Sequence, residues 1–479
     1  MNSKTKKILN IFEEICKIPR CSNNEQQIIN WLCSWAKEMN YSWKNDKEGN
    51  LVVNIPATKG YENKPIIIMQ AHVDMVCEKV KDYPHDFSKD PIKLIYEDDW
   101  LKADKTSLGA DNGIAIAIML ELAQDNSISH PELELLFTVD EETGLNGANN
   151  LGNIINGKIL INLDSETEGQ FIIGCAGGNE THISLPVSYI SASNDKLYCC
   201  LKVRGLKGGH SGIDINSNRA NANSLLARIL YKLYKSFSFD LISIKGGSAH
   251  NAIPRDAEAV IAIDSSQYNE INSKIIDFEK IIQYEFEGYE NSILINLKKI
   301  SDYKADKKLE ENSKVQLINI IMAFPTGVFD MSSKLKGLVE TSNNFAEMSL
   351  NDQYFKIISS QRSSEPSKLD YLTNKIESIA KAGNLIVTHT NDYPPWKPDY
   401  DSQLLKQSKD IYQKVFNKNP VIESIHAGLE CCIIGSKFSI QDMISFGPTI
   451  VNPHSPEERV QISSIDKIWL FITELLKSF

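Results

Sequence analysis

The chain has 479 residues, of which 42% are hydrophobic and 24% are charged, and its net charge is −11. This length predicts two or three domains, and the composition is that of an ordinary globular protein rather than of a disordered chain. The negative charge is spread along the chain, which argues against nucleic acid or an anionic membrane surface as a partner.

The lack of a recognisable targeting segment and the pattern of the cysteines predict a cytoplasmic protein. Residues 1–17 mix Lys and Glu with apolar residues and do not resemble a signal peptide, and no run approaches the roughly 18 apolar residues of a membrane span. The cysteines are odd in number and form no CxxC motif; they are Cys16, Cys21, Cys33, Cys77, Cys175, Cys199, Cys200, Cys431 and Cys432. We therefore expect buried free thiols rather than a disulfide framework.

Helices and strands alternate in the first part of the chain. Hydrophobic spacing predicts a helix over 8–39 interrupted around 19–24, strands at 50–55 and 66–70, a strongly apolar helix at 112–124, and strands at 133–139 and 158–163. Strands separated by helices are typical of βαβ units, so an α/β fold with a mixed, largely parallel sheet flanked by helices is expected.

The pattern changes near Pro186. The later predicted elements are strands at 197–203, 256–264, 292–298 and 355–360, helices at 224–236, 366–382 and 403–416, a strand at 442–446 and a closing helix at 465–477. A proline-rich stretch at 393–398 separates the last part, which resembles the first part more than the middle. We therefore predict an α/β catalytic domain split into 1–187 and 393–479, with an α+β domain inserted at 188–392.

Acidic residues and a histidine follow the predicted strands of the first part. They are His72 and Asp74 after the second strand, Asp111 at the start of the apolar helix, Glu141 and Glu142 after the third strand, and Asp164 after the fourth. Successive carboxylates at 140–142 repel each other unless a cation neutralises them. Because the carboxyl ends of parallel strands share one edge of a sheet, these side chains should converge there.

Each of these residues also has a simpler interpretation. His72 fits a core histidine, Asp111 fits a helix cap and Asp164 fits a turn. Their common position at one sheet edge favours a metal site instead. Carboxylates mixed with imidazole suit Zn²⁺, with Mn²⁺ or Co²⁺ as alternatives.

The motifs at this edge resemble a known enzyme family. They are His72-Val73-Asp74, the segment 109–113 (GADNG), the segment 140–144 (DEETG) and Asp164. Together they resemble the co-catalytic zinc metallopeptidases of the aminoacylase and carboxypeptidase type, and among these the bacterial aminoacyl-histidine dipeptidases. Further segments of the same type at 18–22, 207–212, 251–255, 426–430 and 452–456 extend the resemblance over nearly the whole chain. The resemblance implies a zinc-exopeptidase-like catalytic domain with an inserted lid.

The resemblance also implies how two metal ions would be held. Asp111 would bridge them, His72 and Asp164 would complete one site, and Glu142 and His454 would complete the other. His454 depends most on the resemblance, because a histidine between prolines is otherwise a typical surface-loop residue.

Two further residues have implied catalytic roles. Asp74 would accept the far imidazole N–H of His72 and fix the ring, as carboxylates often do for a ligating histidine. Glu141 would act as the general base, taking a proton from metal-activated water and passing it to the leaving amine. Asp140 receives no role from the motif.

In the inserted domain the resemblance implies a substrate-binding set. His210 would stabilise the tetrahedral oxyanion, and Asn251 and Arg362 would hold the substrate's terminal carboxylate, which suits the forked donors of arginine. Gly428 would bring backbone close to the substrate. The simpler interpretations are a turn for His210 and Gly428 and a strand-end charge for Arg362, while His426 is taken as structural.

The resulting hypothesis is a di-metal dipeptidase that cleaves dipeptides with a free C-terminal carboxylate, among them Xaa-His dipeptides. The alternative is an N-acyl-amino-acid deacylase with the same metal chemistry, and a third is a non-catalytic peptide-binding protein, against which the complete set of ligands and base argues. The expected partner is a small peptide. Relatives also suggest a homodimer through the lid domain, which the sequence neither supports nor opposes.

Overall fold

The computed structural model describes residues 2–193, 195–333 and 335–479. The chain forms two compact units. The first unit contains Met1–Cys175, Trp396–Ser424 and Leu429–Phe479, and the second contains Ala176–Pro395 and Ile425–Gly428. The first unit is therefore built from separate parts of the chain. In the part of the chain that the structure describes, no helix combines the length and apolarity needed to cross a bilayer.

The elements follow each other in three stretches of chain. The first contains α1 (Ser3–Ile15), α2 (Gln26–Glu38), β1 (Ser42–Asn45), β2 (Leu51–Ile55), β3 (Ile67–His72), β4 (Leu94–Glu97), β5 (Trp100–Ala103), α3 (Ala110–Gln124), β6 (Leu133–Thr138), α4 (Asn146–Asn150), β7 (Ile159–Asn162) and β8 (Gln170–Cys175). The second contains β9 (Gly177–Pro186), β10 (Tyr189–Ser191), β11 (Leu197–Arg204), β12 (Gly209–His210), α5 (Ala222–Ser236), β13 (Phe239–Gly246), β14 (Ala252–Ile253), β15 (Ala257–Ile263), α6 (Tyr268–Glu285), β16 (Leu294–Lys299), β17 (Lys307–Leu309), α7 (Glu311–Ala323), β18 (Gly327–Met331), β19 (Val339–Leu350), β20 (Tyr354–Ser363), α8 (Pro366–Ala382) and β21 (Ile386–Tyr393). The third contains α9 (Gln403–Phe416), β22 (Val421–Ile425), α10 (Glu430–Phe438), β23 (Asp442–Ser445), β24 (Ile450–Val451), β25 (Arg459–Gln461) and α11 (Ile462–Lys477).

The first unit is organised around a sheet in the order β1-β2-β6-β3-β7-β23-β8-β22. Its central strands β6, β3, β7 and β23 run parallel. By contrast, β2 pairs antiparallel with both β6 and β1, and β8 pairs antiparallel with β23. Both β3 and β6 are buried at every position, as expected for parallel strands covered on both faces. The predicted mixed, helix-flanked sheet is confirmed, with the parallel pairing confined to its centre.

The apolar helix α3 lies inside the first unit. Every residue from Ala110 to Ala123 is buried, and the helix contacts α1 and β3. A helix that is apolar on all sides must be buried on all sides, which explains the absence of a polar stripe. Its first turn carries Asp111 into the region where β3 and β6 end.

The second unit is an α+β structure, as predicted. Its main sheet has the order β16-β11-β15-β13-β19-β20-β9-β21, with β18 added beside β19, and neighbouring strands pair antiparallel. The helices α5, α6, α7 and α8 supply much of a separate hydrophobic core. The helices α6 and α7 and the strands β9, β13, β19 and β21 had not been predicted from the sequence.

The expectation of free thiols is wrong for one pair of cysteines. Cys21 and Cys77 form a disulfide across 56 residues of chain, with their Cα atoms 5.7 Å apart. The backbone brings them together because Cys21 forms a parallel bridge with Met75. The remaining cysteines carry reduced thiols, and those at 16, 175, 199, 431 and 432 are buried, in agreement with the expectation.

Replacement of Gly147 by alanine should destabilise the turn after β6. A Cβ atom at this position would collide with the carbonyl oxygen of Val139 and with Asn50, although helix propensity alone would favour alanine. We expect Gly147→Ala to lower the free energy of unfolding by about 1–3 kcal/mol in urea denaturation. The exposed control Asn149→Ala in the same helix should stay within about 0.5 kcal/mol of the parent protein. Equal stability of Gly147→Ala and the parent would contradict this packing.

Candidate active site

His72 lies at the end of β3 beside two aspartates. Its Nε2 atom is 3.0 Å from Asp111 Oδ1 and 3.3 Å from Asp164 Oδ1. One ligand atom from each of these residues lies within 4.8 Å of the others, so the three can hold a metal ion. The ends of β3 and β7 and the start of α3 thus meet at one edge of the sheet, where α/β proteins bind ligands.

A second triad forms on the other oxygen of Asp111. His454 Nε2 is 3.1 Å from Asp111 Oδ2 and 2.9 Å from Glu142 Oε2. The ligand atoms of these three residues also lie within 4.8 Å of one another. The two triads share Asp111 through different oxygens, which is the arrangement of a carboxylate that bridges two cations.

Asp74 lies behind His72 rather than in either triad. Its Oδ1 atom is 3.3 Å from His72 Nδ1 and accepts the backbone N–H of Glu141 at 3.1 Å. Its Oδ2 atom accepts the backbone N–H of Glu142 at 3.1 Å and the hydroxyl of Ser22 at 2.8 Å. Burial raises the pKa of Asp74, but the interactions with His72 and these donors outweigh it, so the pKa lies below its ordinary value. Asp74 therefore connects the histidine ring to the backbone of both glutamates.

Asp140 builds the turn that presents the two glutamates. It has a left-handed backbone with φ of 50°, which aspartate tolerates. Its carboxylate accepts the Thr143 hydroxyl at 2.6 Å and the Asn146 side-chain amide at 2.7 Å. The turn lets Glu141 and Glu142 both reach the site, since the ligand atoms of His72, Glu141 and Glu142 also lie within 4.8 Å of one another.

The site carries an excess of buried negative charge. Burial raises the pKa of Glu141 well above its ordinary value; His72 lowers it, and the charges of Glu142 and Asp164 raise it further. Burial and the charge of Asp111 raise the pKa of Glu142 as well. Buried carboxylates this close together are relieved of their repulsion either by protonation or by a compensating positive charge, such as a metal ion.

The excess of negative charge also changes the pKa of the His454 imidazole. Burial lowers the pKa of His454, but its hydrogen bonds to Asp111 and Glu142 outweigh this effect and raise it to about 11. One buried polar atom, Glu142 Oε1, has no hydrogen-bond partner among the described residues. A mixed set of carboxylates and imidazoles with surplus negative charge fits divalent cations.

Glu430 is a buried carboxylate beneath these triads that the sequence analysis did not assign. It accepts hydrogen bonds from Gln70 Nε2 at 2.5 Å and from the Thr138 hydroxyl at 2.7 Å. Gln70 in turn accepts a bond from Asn162 Nδ2 at 2.6 Å. Burial raises the pKa of Glu430 to about 8. This polar layer links β3, β6 and β7 below the ends that carry the triads.

Arg20 and Glu458 were also missed. Both are buried, and both contact the backbone next to predicted ligands rather than the ligands' side chains. Arg20 lies in the family-like segment 18–22, whereas Glu458 lies two residues beyond the segment 452–456. A bond to the backbone leaves no sequence signal.

In the second unit, His210 lies in a glycine-rich loop. Its Nδ1 atom accepts the backbone N–H of Gly212 at 3.2 Å and of Ile213 at 3.1 Å. A neutral ring then carries its proton on Nε2, which makes that atom a donor. Ser211 donates its backbone N–H to the carbonyl of Asn251 at 2.7 Å, so Asn251 adjoins this loop.

Arg362 lies on β20 of the same unit. Its Nη1 atom donates to the Tyr393 hydroxyl at 2.7 Å, and its Nε atom is buried without a hydrogen-bond partner among the described residues. Ser342, opposite Arg362 across the sheet, is 2.7 Å from His426 Nε2. Burial, together with the charges of Arg362 and His210, lowers the pKa of His426 to about 3, so this histidine is neutral. Gly428 follows two residues later in the same unit.

The chain is similar to known peptidases over its whole length. The family model described as "Peptidase family M28" matches residues 50–190, and the model described as "Peptidase dimerisation domain" matches residues 201–290. The chain is 39% identical to the cytosol non-specific dipeptidase of Escherichia coli over 98% of this chain and 96% of that protein. The chain belongs to this dipeptidase family of the M20 metallopeptidases.

Solved structures agree with this family. The aminoacylhistidine dipeptidase of Vibrio alginolyticus superimposes with a TM-score of 0.84 at 34% identity, covering 99% of this chain and 96% of that chain. The aminopeptidase PepT of Bacillus cereus shares the fold, with a TM-score of 0.57 at 15% identity, covering 99% of this chain and 98% of that chain. The predicted family is confirmed, the chain is a peptide-bond hydrolase, and the deacylase alternative is not favoured. Membership of the metallopeptidases, together with the two triads, supports two metal ions.

Proposed function

We propose that this M20 dipeptidase hydrolyses dipeptides with a free C-terminal carboxylate, including Xaa-His dipeptides, with two zinc ions held by the triads. The observation that carries this proposal is Asp111, whose two oxygens face His72 and His454 separately at 3.0 and 3.1 Å. In the proposed assignment His72 and Asp164 complete one metal site, and Glu142 and His454 complete the other. The names of the E. coli and Vibrio relatives support the substrate class and a cytosolic location.

Glu141 is the proposed general base. Two bound divalent ions would act as Lewis acids toward the scissile carbonyl and lower the pKa of a water molecule. Glu141 takes the proton of the attacking water and returns it to the leaving amine. Its backbone N–H is bonded to Asp74 at 3.1 Å, which orients the turn that carries it. Asp74 also contacts the ring of His72, so one carboxylate positions both the proposed base and the histidine.

The second unit is the proposed lid and substrate-recognition domain, for which we retain the sequence boundaries of about 188–392. Its His210 would donate from Nε2 to the developing oxyanion, because Nδ1 is already an acceptor. Arg362, with Asn251 and the backbone of Gly428, would bind the substrate's terminal carboxylate. The match of residues 201–290 to a peptidase dimerisation domain supports a homodimer through this unit.

A substrate panel tests the proposed function. Purified, zinc-loaded protein should hydrolyse β-alanyl-histidine and other dipeptides, leave N-acetyl amino acids intact, and lose its activity in a chelator until zinc is restored. Hydrolysis of the N-acetyl amino acids with the dipeptides left intact would establish the deacylase instead.

The carboxylate requirement has its own control. Alanyl-histidine should be hydrolysed at least tenfold faster than alanyl-histidine amide, because the amide cannot pair with a guanidinium. Arg362→Ala should reduce this preference, whereas Arg228→Ala, which removes an exposed ion pair with Glu285, should not. An unchanged preference in Arg362→Ala would remove Arg362 from the binding site.

A further inference from the structure

Glu458 joins the segment of His454 to the loop that leads into Asp111. It lies four residues after His454, and only 1% of its surface is exposed. Its carboxylate accepts four consecutive backbone N–H groups: Oε2 accepts from Leu108 at 2.8 Å and Gly109 at 3.0 Å, and Oε1 accepts from Ala110 at 2.8 Å and Asp111 at 3.2 Å. One side chain thus fixes the backbone immediately before a shared residue of both triads.

Arg20 binds a carbonyl group of the same loop. It is 2% exposed, and its Nη1 atom donates to the carbonyl oxygens of Val73 at 3.0 Å and Asp74 at 2.9 Å. Its Nη2 atom donates to the carbonyl oxygen of Gly109. A Cβ atom on Gly109 would collide with this guanidinium, so the close approach requires glycine there. Arg20 therefore connects the residues after His72 to the residues before Asp111.

The two side chains complement each other in charge and in bonding. Glu458 binds N–H groups of the loop, Arg20 binds a carbonyl group of the same loop, and their opposite charges attract. Hydrogen bonds to a charged partner are about twice as strong as neutral ones. Neither residue belongs to the groups whose ligand atoms could hold a metal ion.

We propose that Glu458 and Arg20 are positioning residues that fix Asp111 against His454 and His72, and thereby set the affinity for the two metal ions. This inference rests on the proposed metal sites. Residues that support metal ligands typically change metal affinity by about 10–100-fold when they are replaced. In Glu458→Gln an amide NH₂ would face two backbone N–H donors, and the charge opposite Arg20 would be lost.

Cobalt titration of the full-length protein tests this role. Metal-free parent, Glu458→Gln and Glu457→Gln would each be titrated with Co²⁺, following visible absorption and bound equivalents after dialysis. Glu457 is the adjacent, exposed carboxylate, so the same substitution there serves as the matched control. We expect the parent and Glu457→Gln to bind two equivalents alike. Glu458→Gln should bind at least one equivalent about tenfold or more weakly, with an altered spectrum.

A second variant separates positioning from folding. Arg20→Lys keeps the charge but loses the fork that reaches two chain segments, so it should weaken Co²⁺ binding in the same direction. Unchanged Co²⁺ affinity and spectrum in folded Glu458→Gln would overturn the inference. Loss of the fold in both variants, seen by circular dichroism in a chelator, would also overturn it, because the role would then be structural. A parent protein that binds no Co²⁺ would instead reject the proposed function.

Discussion

Glu141→Gln should abolish turnover while leaving the metal sites filled. The amide has the shape of the carboxylate but cannot accept the proton of water, and loss of a positioned general base typically lowers kcat by about 10²–10⁴-fold. The backbone N–H bond from residue 141 to Asp74 does not depend on the side chain and should persist. Steady-state kinetics on a dipeptide, combined with zinc analysis of the same sample, would measure both quantities.

The neighbouring glutamate provides the contrast for this experiment. Glu142 lies 2.9 Å from His454 in the second triad, so Glu142→Gln should lower the zinc content of the protein as well as its activity. If Glu141→Gln retained full activity, or if it lost zinc as Glu142→Gln is expected to do, its assignment as the base would be wrong.

Asp111→Asn should have the largest effect on metal content. Asp111 is the residue that both triads share, and an asparagine offers one oxygen and one NH₂ group where two oxygens are needed. We expect fewer than two zinc ions per chain and a fall in kcat/KM of at least about 10³-fold, because both proposed metal sites lose a ligand. Such a fall corresponds to a loss of about 4 kcal/mol of transition-state stabilisation.

A distant aspartate controls for the loss of one carboxylate. Asp98 is exposed and has a left-handed backbone that asparagine adopts readily, so Asp98→Asn should keep two zinc ions and parental activity. Two tightly bound ions in dialysed Asp111→Asn would show that Asp111 does not bridge them.

The clustering of the candidate metal ligands was largely predictable because these residues occupy equivalent places in the chain. His72, Asp111 and Asp164 each lie where a strand ends or a helix begins, and the edge rule for parallel strands brings such positions together. His454 was found only through the family resemblance, because the hydrophobic pattern predicts no strand directly before its loop and the strand that lies there, β24, has only two residues. Asp74 and Glu142 were assigned from the motif at 72–74 and the DEETG motif at 140–144.

The supporting residues could not be predicted in the same way. Glu458 and Arg20 bind backbone groups that are 347–350 and 53–89 residues away in the chain, and backbone groups are the same in every sequence. The Cys21–Cys77 disulfide depends on a 5.7 Å approach of two loops that no spacing rule indicates. In the second unit, α6 was missed although its buried residues Ile271, Ile275 and Phe278 follow helical spacing.

Residues 396–479 carry a strand that lies inside the sheet of the first unit. β23 pairs with β7 on one side and β8 on the other, and the loop of His454 follows it in the chain. During synthesis, about 270 further residues must be translated after β7 and β8 before their common neighbour β23 leaves the ribosome. The second triad cannot form on a growing chain until translation has passed His454. Under the proposed assignment, a chain terminated before that residue should therefore have no peptidase activity.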